Sequence, residues 1–349
     1  MSEEINELVE ASNKIGNFRD LVQAGGGNTS IKTLDGKMLI KASGFTFSEM
    51  TETSGFVNLD LNKVSNLFNG IQGPDSEENE ISYNKSLRSG MINVNSPRPS
   101  METGMHIFLD HFVLHTHPVM TNIVTCMTNG EKIARELFSD ISPEFMWVDY
   151  KNPGYQLAKE IKTRVSEYEN KNGLGPEIIF LKNHGLIVSS NNSQKCLDMT
   201  FKINDKIFQH FKNFGIEKYP ELKVHVKNGF CFSSNDVIKK FIENLNENKK
   251  FLSNYIIPDD VIYCSSGYVV QENPDKIESD KINIIKEGVI YPWNEKKSIK
   301  VDEVFTAKLY VSMIIAKIGS IDYIKSEDVE YIRNMDSEKY RQGLDKVGK

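Results

Sequence analysis

The sequence predicts an α/β fold whose central sheet is mixed or antiparallel, with helices packed on its faces. Three observations carry this. Segments of helical and of strand periodicity alternate along the chain. Several strands come as hairpins, most plainly Thr29–Thr33 and Lys37–Lys41 around Asp35-Gly36, a dipeptide favoured in tight hairpins because glycine tolerates positive φ. The glycine run Gly25–Gly27 ends a helix and enters a strand, the reverse of the order in a parallel dinucleotide-binding fold.

Ile5, Leu8, Val9, Ile15, Phe18 and Val22 recur at helical spacing, so an amphipathic helix is expected over about residues 3–23. After the hairpin and the turn Ala42–Gly44, Phe56–Asp60 reads as a strand and Leu61–Asn69 as a short helix. Gly70–Pro97 is polar, acidic in GPDSEENE and without strong periodicity, which predicts a surface excursion. Glu102–Asp110 is expected to be helical with Ser100 as N-cap, Phe112–Thr116 a buried strand, and Val119–Met127 and Tyr155–Asn170 helices. Glu177–Leu181 and Gly185–Ser189 read as strands flanking a tight Lys182–Gly185 turn, followed by a long helix over Ser193–Phe214. A boundary near residues 216–228 divides the chain into a domain over 1–220 and a smaller α/β extension over 221–349. The extension mixes helix and strand at Val237–Leu245, Val261–Tyr263, Gly288–Tyr291 and Val304–Ile318. There is no internal repeat and no low-complexity tract.

Composition narrows the function classes. The 349 residues are 39% apolar and 26% charged, ordinary globular values, and the net charge of −6 argues against a nucleic-acid partner. The start, MSEEINELVEAS, lacks the basic and apolar regions of a secretory signal, and no apolar run approaches the roughly 20 residues of a membrane span. Cys126, Cys196, Cys231 and Cys264 are scattered without CxxC spacing and read as buried thiols of a reducing compartment. The expectation is a cytoplasmic protein without a membrane or nucleic-acid partner.

Four clusters carry chemistry. The densest lies in Arg98–Pro118, which holds four of the seven histidines. His115 and His117, two apart on a strand, point from one face, so two imidazoles can grip one metal ion from a rigid element. Glu102 and His106 lie four apart on the expected helix and share a face. A carboxylate beside a metal can move protons at carbon or oxygen, although an acid at a helix N-terminus is also what the helix dipole favours. His106 and His111 read as packing or supporting residues. His184, in the turn between two apolar strands, is a candidate third ligand, and three neutral imidazoles with open positions form a catalytic arrangement most often filled by zinc. GGGNTS (Gly25–Ser30) offers backbone amides and the short donors of Asn28, Thr29 and Ser30 for an anion such as a phosphate, or is simply a helix C-cap and turn. KASG (Lys41–Gly44) either completes that anion pocket or is an ordinary turn.

Taken in order, GGGNTSIK, KASG, RPSMETGMH, LHTHP and KNHGLIV resemble the class II aldolase/adducin family over roughly residues 1–215. GGGNTS, the RPS-x-ET form and the segments IIPDDVIY and DSEKYRQ are most similar to the aldolase part of RhaD-type rhamnulose-1-phosphate aldolase/dehydrogenase proteins. Those proteins carry a short-chain dehydrogenase unit beyond this region. This sequence ends at Lys349 without one, so no dehydrogenase activity is expected of it.

The resemblance implies a three-layer α/β/α domain, a cyclic tetramer with active sites between subunits, and Zn²⁺ held by His115, His117 and His184. It implies Glu102 as the catalytic acid/base, and Asn28, Ser43, Gly44 and Ser100 as the phosphate site, with Thr29 and Lys41 as neighbours. The expected function is a zinc-dependent aldolase that cleaves or forms a C–C bond in a phosphorylated ketose through a metal-stabilised enediolate. Met101 departs from the pattern, because the best-studied phosphate aldolases have a second serine there. Epimerisation, decarboxylation or dehydration of a sugar phosphate or sugar acid on the same metal site is therefore an alternative, and a non-catalytic adducin-like module a further one. For residues 221–349 three roles stay open: covering the active site, adding subunit contacts, or binding a larger group such as a nucleotide-linked sugar.

Overall fold

In the computed structural model, the described residues are 3–69, 76–141, 144–227, 229–272 and 276–335. Seven strands form the main sheet: β1 (Asn28–Lys32), β2 (Lys37–Lys41), β3 (Phe56–Asp60), β4 (Phe112–Thr116), β5 (Met146–Val148), β6 (Ile178–Leu181) and β7 (Gly185–Ser190). Their spatial order is β3-β2-β1-β4-β7-β6-β5. Every pairing is antiparallel except the parallel pair β5–β6, so the sheet is mixed as the hairpins predict.

Both faces are covered, giving the α/β/α layering. Alternation along β4 shows why: Phe112 and Leu114 enter one apolar cluster and Val113 the other. The first cluster is closed by helices Glu3–Gly16, Val119–Thr125 and Ser193–Lys212, through Leu8, Ala11, Ile15, Ile123, Ile203 and Ile207. The second is closed by Glu77–Ser89, Thr103–Ile107 and Tyr155–Asn172, through Tyr83, Leu87, Met105, Leu157 and Ile161.

Three local expectations need correction. The first helix ends at Gly16, not near residue 23, because the chain turns there against Phe47 and Ser48. A Cβ at Gly16 would stand 2.8 Å from Ser48 N. Within the expected surface excursion, residues 70–75 lie outside the described residues, but Glu77–Ser89 is a helix with Tyr83 fully buried. Its cap is Ser76, whose side chain accepts from Asn79 N. The helix expected at Glu102–Asp110 spans only Thr103–Ile107, and Glu102, not Ser100, takes the N-cap position. Ser100 instead turns the chain with its carbonyl, which accepts from Thr103 N and Oγ1, while its Oγ accepts from Glu102 N at 3.3 Å.

The C-terminal α/β region holds a second, five-stranded sheet. Its strands are β8 (His225–Lys227), β9 (Phe230–Ser233), β10 (Tyr268–Val270), β11 (Ile282–Ile285) and β12 (Gly288–Tyr291), in the order β10-β11-β12-β9-β8. Helix Glu295–Ile318 is buried along every residue from Val301 to Ser312, the charged Asp302, Glu303 and Lys308 included. It packs against Val119–Thr125, Asp236–Glu243 and Pro258–Tyr263. One apolar cluster therefore runs from Ile123 and Phe180 through Phe241, Tyr291 and Phe305. The DSEKYRQ segment lies outside the described residues. Among the described residues no helix is long and apolar enough to cross a membrane, and all four cysteines are buried and free.

Candidate metal centre

β4 is the rail on which the site is built. Asn28 of β1 is the register partner of His115, and Thr116 pairs with Leu186 of β7. The β6–β7 turn thereby swings His184 up beside His117. Asn183 holds that turn with φ +51°, and its side-chain amide donates to Ile256 O at 3.0 Å and Asp322 O at 2.7 Å. The residue after His184 must be small, since a Cβ on Gly185 would lie 2.3 Å from Thr116 O.

His115, His117, His184 and Glu102 are all buried, and one ligand atom from each lies within 4.8 Å of the others. The three imidazole centroids are 4.8 to 5.0 Å apart. His117 Nε2 is 3.0 Å from His115 Nε2, and His184 Nε2 is 3.0 Å from Glu102 Oε1. Asn28 Nδ2 donates to the other Glu102 oxygen.

The tautomers test whether this set suits a cation. Leu186 O can only accept, so His115 Nδ1, 3.0 Å away, carries the proton. His117 Nδ1 lies 2.6 Å from the carboxylate of Asp259 and donates likewise. Both Nε2 atoms are then bare lone pairs facing each other at 3.0 Å, an arrangement that a hydrogen bond between neutral rings does not satisfy and a divalent cation does. Burial holds the His115 imidazole well below its usual range and hence neutral, as a ligand must be. Burial alone would raise the Glu102 carboxyl, but the His184 hydrogen bond and the field of the histidines bring it well below the carboxylate range. Since His115 is itself neutral, the ionised state of Glu102 rests on the donors His184 and Asn28 rather than on a charge at His115. Three imidazoles and a carboxylate fit a divalent metal such as zinc.

The other expected site residues fall into two groups. Ser43 N donates to Arg98 O at 3.0 Å and Ala42 bridges Pro99, so the turn holding Ser43 and Gly44 lies beside Ser100. Lys41 Nζ donates to Gly25 O and Phe45 O at 3.3 and 2.7 Å, tying this turn to the glycine run. Asn28, Lys41, Ser43, Gly44 and Ser100 thus belong to one neighbourhood with Glu102. Thr29 does not, because alternation along β1 sends it to the opposite face, 2.6 Å from Ser12 Oγ. His106 sits behind the cluster with Nδ1 2.8 Å from Ser30 Oγ, and burial pushes it down to about 3.

The glycine run differs from the open anion cradle that its composition suggests. Gly25 N donates to the Tyr263 hydroxyl at 3.2 Å and Ala24 N, just before the run, to Glu303 at 2.6 Å, so the start of the run is already bonded by the C-terminal region. That region also roofs the centre: Pro258 and Ile262, with Met101 and Pro153, wall the narrow pocket over Glu102, His117 and His184. Asp259 escaped the sequence reading. Its one signal is the doubled acid after Pro258, where a single acid suffices to cap the helix and Asp260 does so through Ile256 N and Ile257 N.

The model of the Class II Aldolase and Adducin N-terminal domain matches residues 6–206, more than half of the chain. A protein of Bacillus subtilis (strain 168) named as an uncharacterized oxidoreductase, YuxG, is 33% identical over 275 residues. That alignment covers 74% of this chain and 37% of the relative, so the chain spans little more than a third of its length. The N-terminal class II aldolase domain of a conserved protein from Thermoplasma acidophilum is 25% identical, with a TM-score of 0.50, over 60% of this chain and 95% of that one. A sugar-phosphate aldolase from Thermotoga maritima is 14% identical over 62% of this chain and 97% of its own, at a TM-score of 0.45.

Proposed function

The chain belongs to the class II aldolase and adducin family, and from that premise we propose that it is a zinc-dependent aldolase acting on a phosphorylated ketose. Cleavage would give dihydroxyacetone phosphate and an aldehyde. The observation that carries the reading is Glu102, which is buried, bonded by His184 and Asn28, and set against three imidazoles whose Nε2 atoms converge.

His115, His117 and His184 would hold the metal. When bound, a divalent cation supplies Lewis acidity toward the carbonyl and hydroxyl oxygens of a ketose. Glu102 delivers a proton to the substrate carbon left negative by C–C cleavage, and removes it in the synthetic direction. Asn28 donates to one carboxylate oxygen of Glu102 and keeps it in place. Asn28, Ser43, Gly44 and Ser100 bind the substrate phosphate, with Lys41 tying their turn to the glycine run. Holding the non-reacting end there sets the reacting carbon beside Glu102. The roof from Pro258 and Ile262 excludes water from that carbon. The four buried free thiols support a reducing, cytoplasmic setting, and the family reading carries a homotetramer in carbohydrate metabolism.

Met101 favours a second reading. It lines the pocket with a thioether where a phosphate donor is expected, which suits a smaller or differently charged substrate end. Epimerisation, decarboxylation or dehydration of a sugar acid or sugar phosphate would use the same centre. Incubating the zinc-loaded protein with ketose phosphates, rhamnulose 1-phosphate first, and with sugar acids separates the two by NMR. Free aldehyde with dihydroxyacetone phosphate supports the aldolase. An isomer, CO₂ or a dehydrated product replaces it with the second reading.

A further inference from the structure

His115 and His117 are held in different ways. His115 lies within β4, and its Nδ1 is fixed by a backbone carbonyl of the neighbouring strand. His117 lies past the end of β4, where the chain turns through Pro118 into helix Val119–Thr125. Its Nδ1 meets Asp259 Oδ2 at 2.6 Å instead.

Asp259 is placed for this contact by everything around it. It is 3% exposed, at the second position of helix Pro258–Tyr263, and capping of that helix is left to Asp260. The segment is anchored from several sides. Ile256 O accepts from Asn183 Nδ2 at 3.0 Å, Tyr255 O from Ile324 N at 2.9 Å, and the Tyr263 hydroxyl from Gly25 N at 3.2 Å. The glycine run supplies an independent sign. A Cβ at Gly26 would stand 2.3 Å from Asp259 Oδ2 and 2.7 Å from His117 Nδ1, so the His117–Asp259 bond occupies the space that only a glycine leaves.

We infer that Asp259 is a positioning residue of the metal centre, which it completes from outside the family segment 6–206. It accepts the Nδ1 proton of His117, turns the bare Nε2 toward His115 and His184, and strengthens the imidazole as a donor. Such carboxylate–histidine pairs typically change metal affinity 10- to 100-fold. The inference rests on the metal-centre reading above and extends it, since it makes a residue of the C-terminal region part of metal binding. It also gives Gly26 a role other than cradling an anion.

The test is a chelator-competition titration of full-length protein with Zn²⁺, joined to the visible absorption of the Co²⁺ form. Wild type, Asp259→Asn, Asp259→Ala and Gly26→Ala are compared, with thermal melts of each metal-free protein as the control for folding. The expected result is one tight site in wild type and a 10- to 100-fold weaker one in Asp259→Ala, with an altered Co²⁺ spectrum. Asp259→Asn, nearly isosteric and still able to accept the Nδ1 proton, falls between them and serves if the alanine variant does not fold. Gly26→Ala weakens the site because its methyl displaces one member of the pair. Metal affinity within twofold of wild type and an unchanged Co²⁺ spectrum in Asp259→Ala and Asp259→Asn overturn the inference while leaving the metal centre standing. A wild type that binds no metal overturns the centre itself and the inference with it.

Discussion

Asp259 stands 142 residues beyond His117 in the chain and 2.6 Å from it in space. Through this bond, the helix that roofs the pocket also fixes one of the rings beneath it. The β6–β7 turn is joined to the same segment through Asn183, so two of the three histidines are set by contacts that reach past residue 250.

Glu102→Gln separates proton transfer from metal binding. The amide keeps the shape and an oxygen for Asn28 but cannot exchange a proton with carbon. Turnover should fall by about 10²–10⁴, with the bound metal retained. Product formation and metal content measured on the same preparation check this; equal losses in both would make Glu102 a ligand only.

Tyr83→Phe probes the helix that the sequence concealed. The hydroxyl donates to Met101 O at 2.7 Å and accepts from Gly104 N at 3.0 Å, fixing the residues on either side of Glu102. Its removal leaves both groups buried without that partner, and a loss of about 1–3 kcal/mol is expected in urea denaturation.

Asn183→Ala should cost roughly 2–4 kcal/mol, through two lost hydrogen bonds to the C-terminal region and a φ of +51° that alanine resists. Asn183→Gly relieves the backbone part alone and should recover about 1 kcal/mol of it. Equal stability of the two variants would assign the whole effect to the hydrogen bonds.

His106 gives a pH dependence of known sign. Burial lowers its pKa from 6.5 to about 3, so only the unfolded chain takes up this proton between those values. The contribution is therefore present above pH 6.5 and is lost as pH falls toward 3. Relative to His106→Gln, wild type should lose roughly 1.5 kcal/mol between pH 6.5 and 5. Parallel pH profiles of the two proteins would show that the ring is not held neutral.

Much of the fold is legible where local pattern and burial agree. β2, β3 and β4 fall on the residues expected of them because each is short, apolar and bounded by turns. The His115–His117 spacing is readable since strand alternation is local physics. Helix Glu77–Ser89 is hidden because its buried stripe is narrow, chiefly Tyr83 and Leu87 amid acidic and polar neighbours. Thr29 reads as a site residue only while its neighbours Asn28 and Ser30 are taken with it; the strand pleat separates them. Asp259 is illegible because nothing local distinguishes it from Asp260. What separates the two is the space left by Gly26, a tertiary fact.

The most direct test of the central claim is the metal content of the purified protein after reconstitution with Zn²⁺ and removal of excess, beside that of His115→Ala and His184→Ala. The account predicts about one equivalent per chain in wild type and a loss of at least tenfold in affinity in each variant. Wild type that holds no stoichiometric divalent metal, or variants that hold it as tightly as wild type, would contradict it.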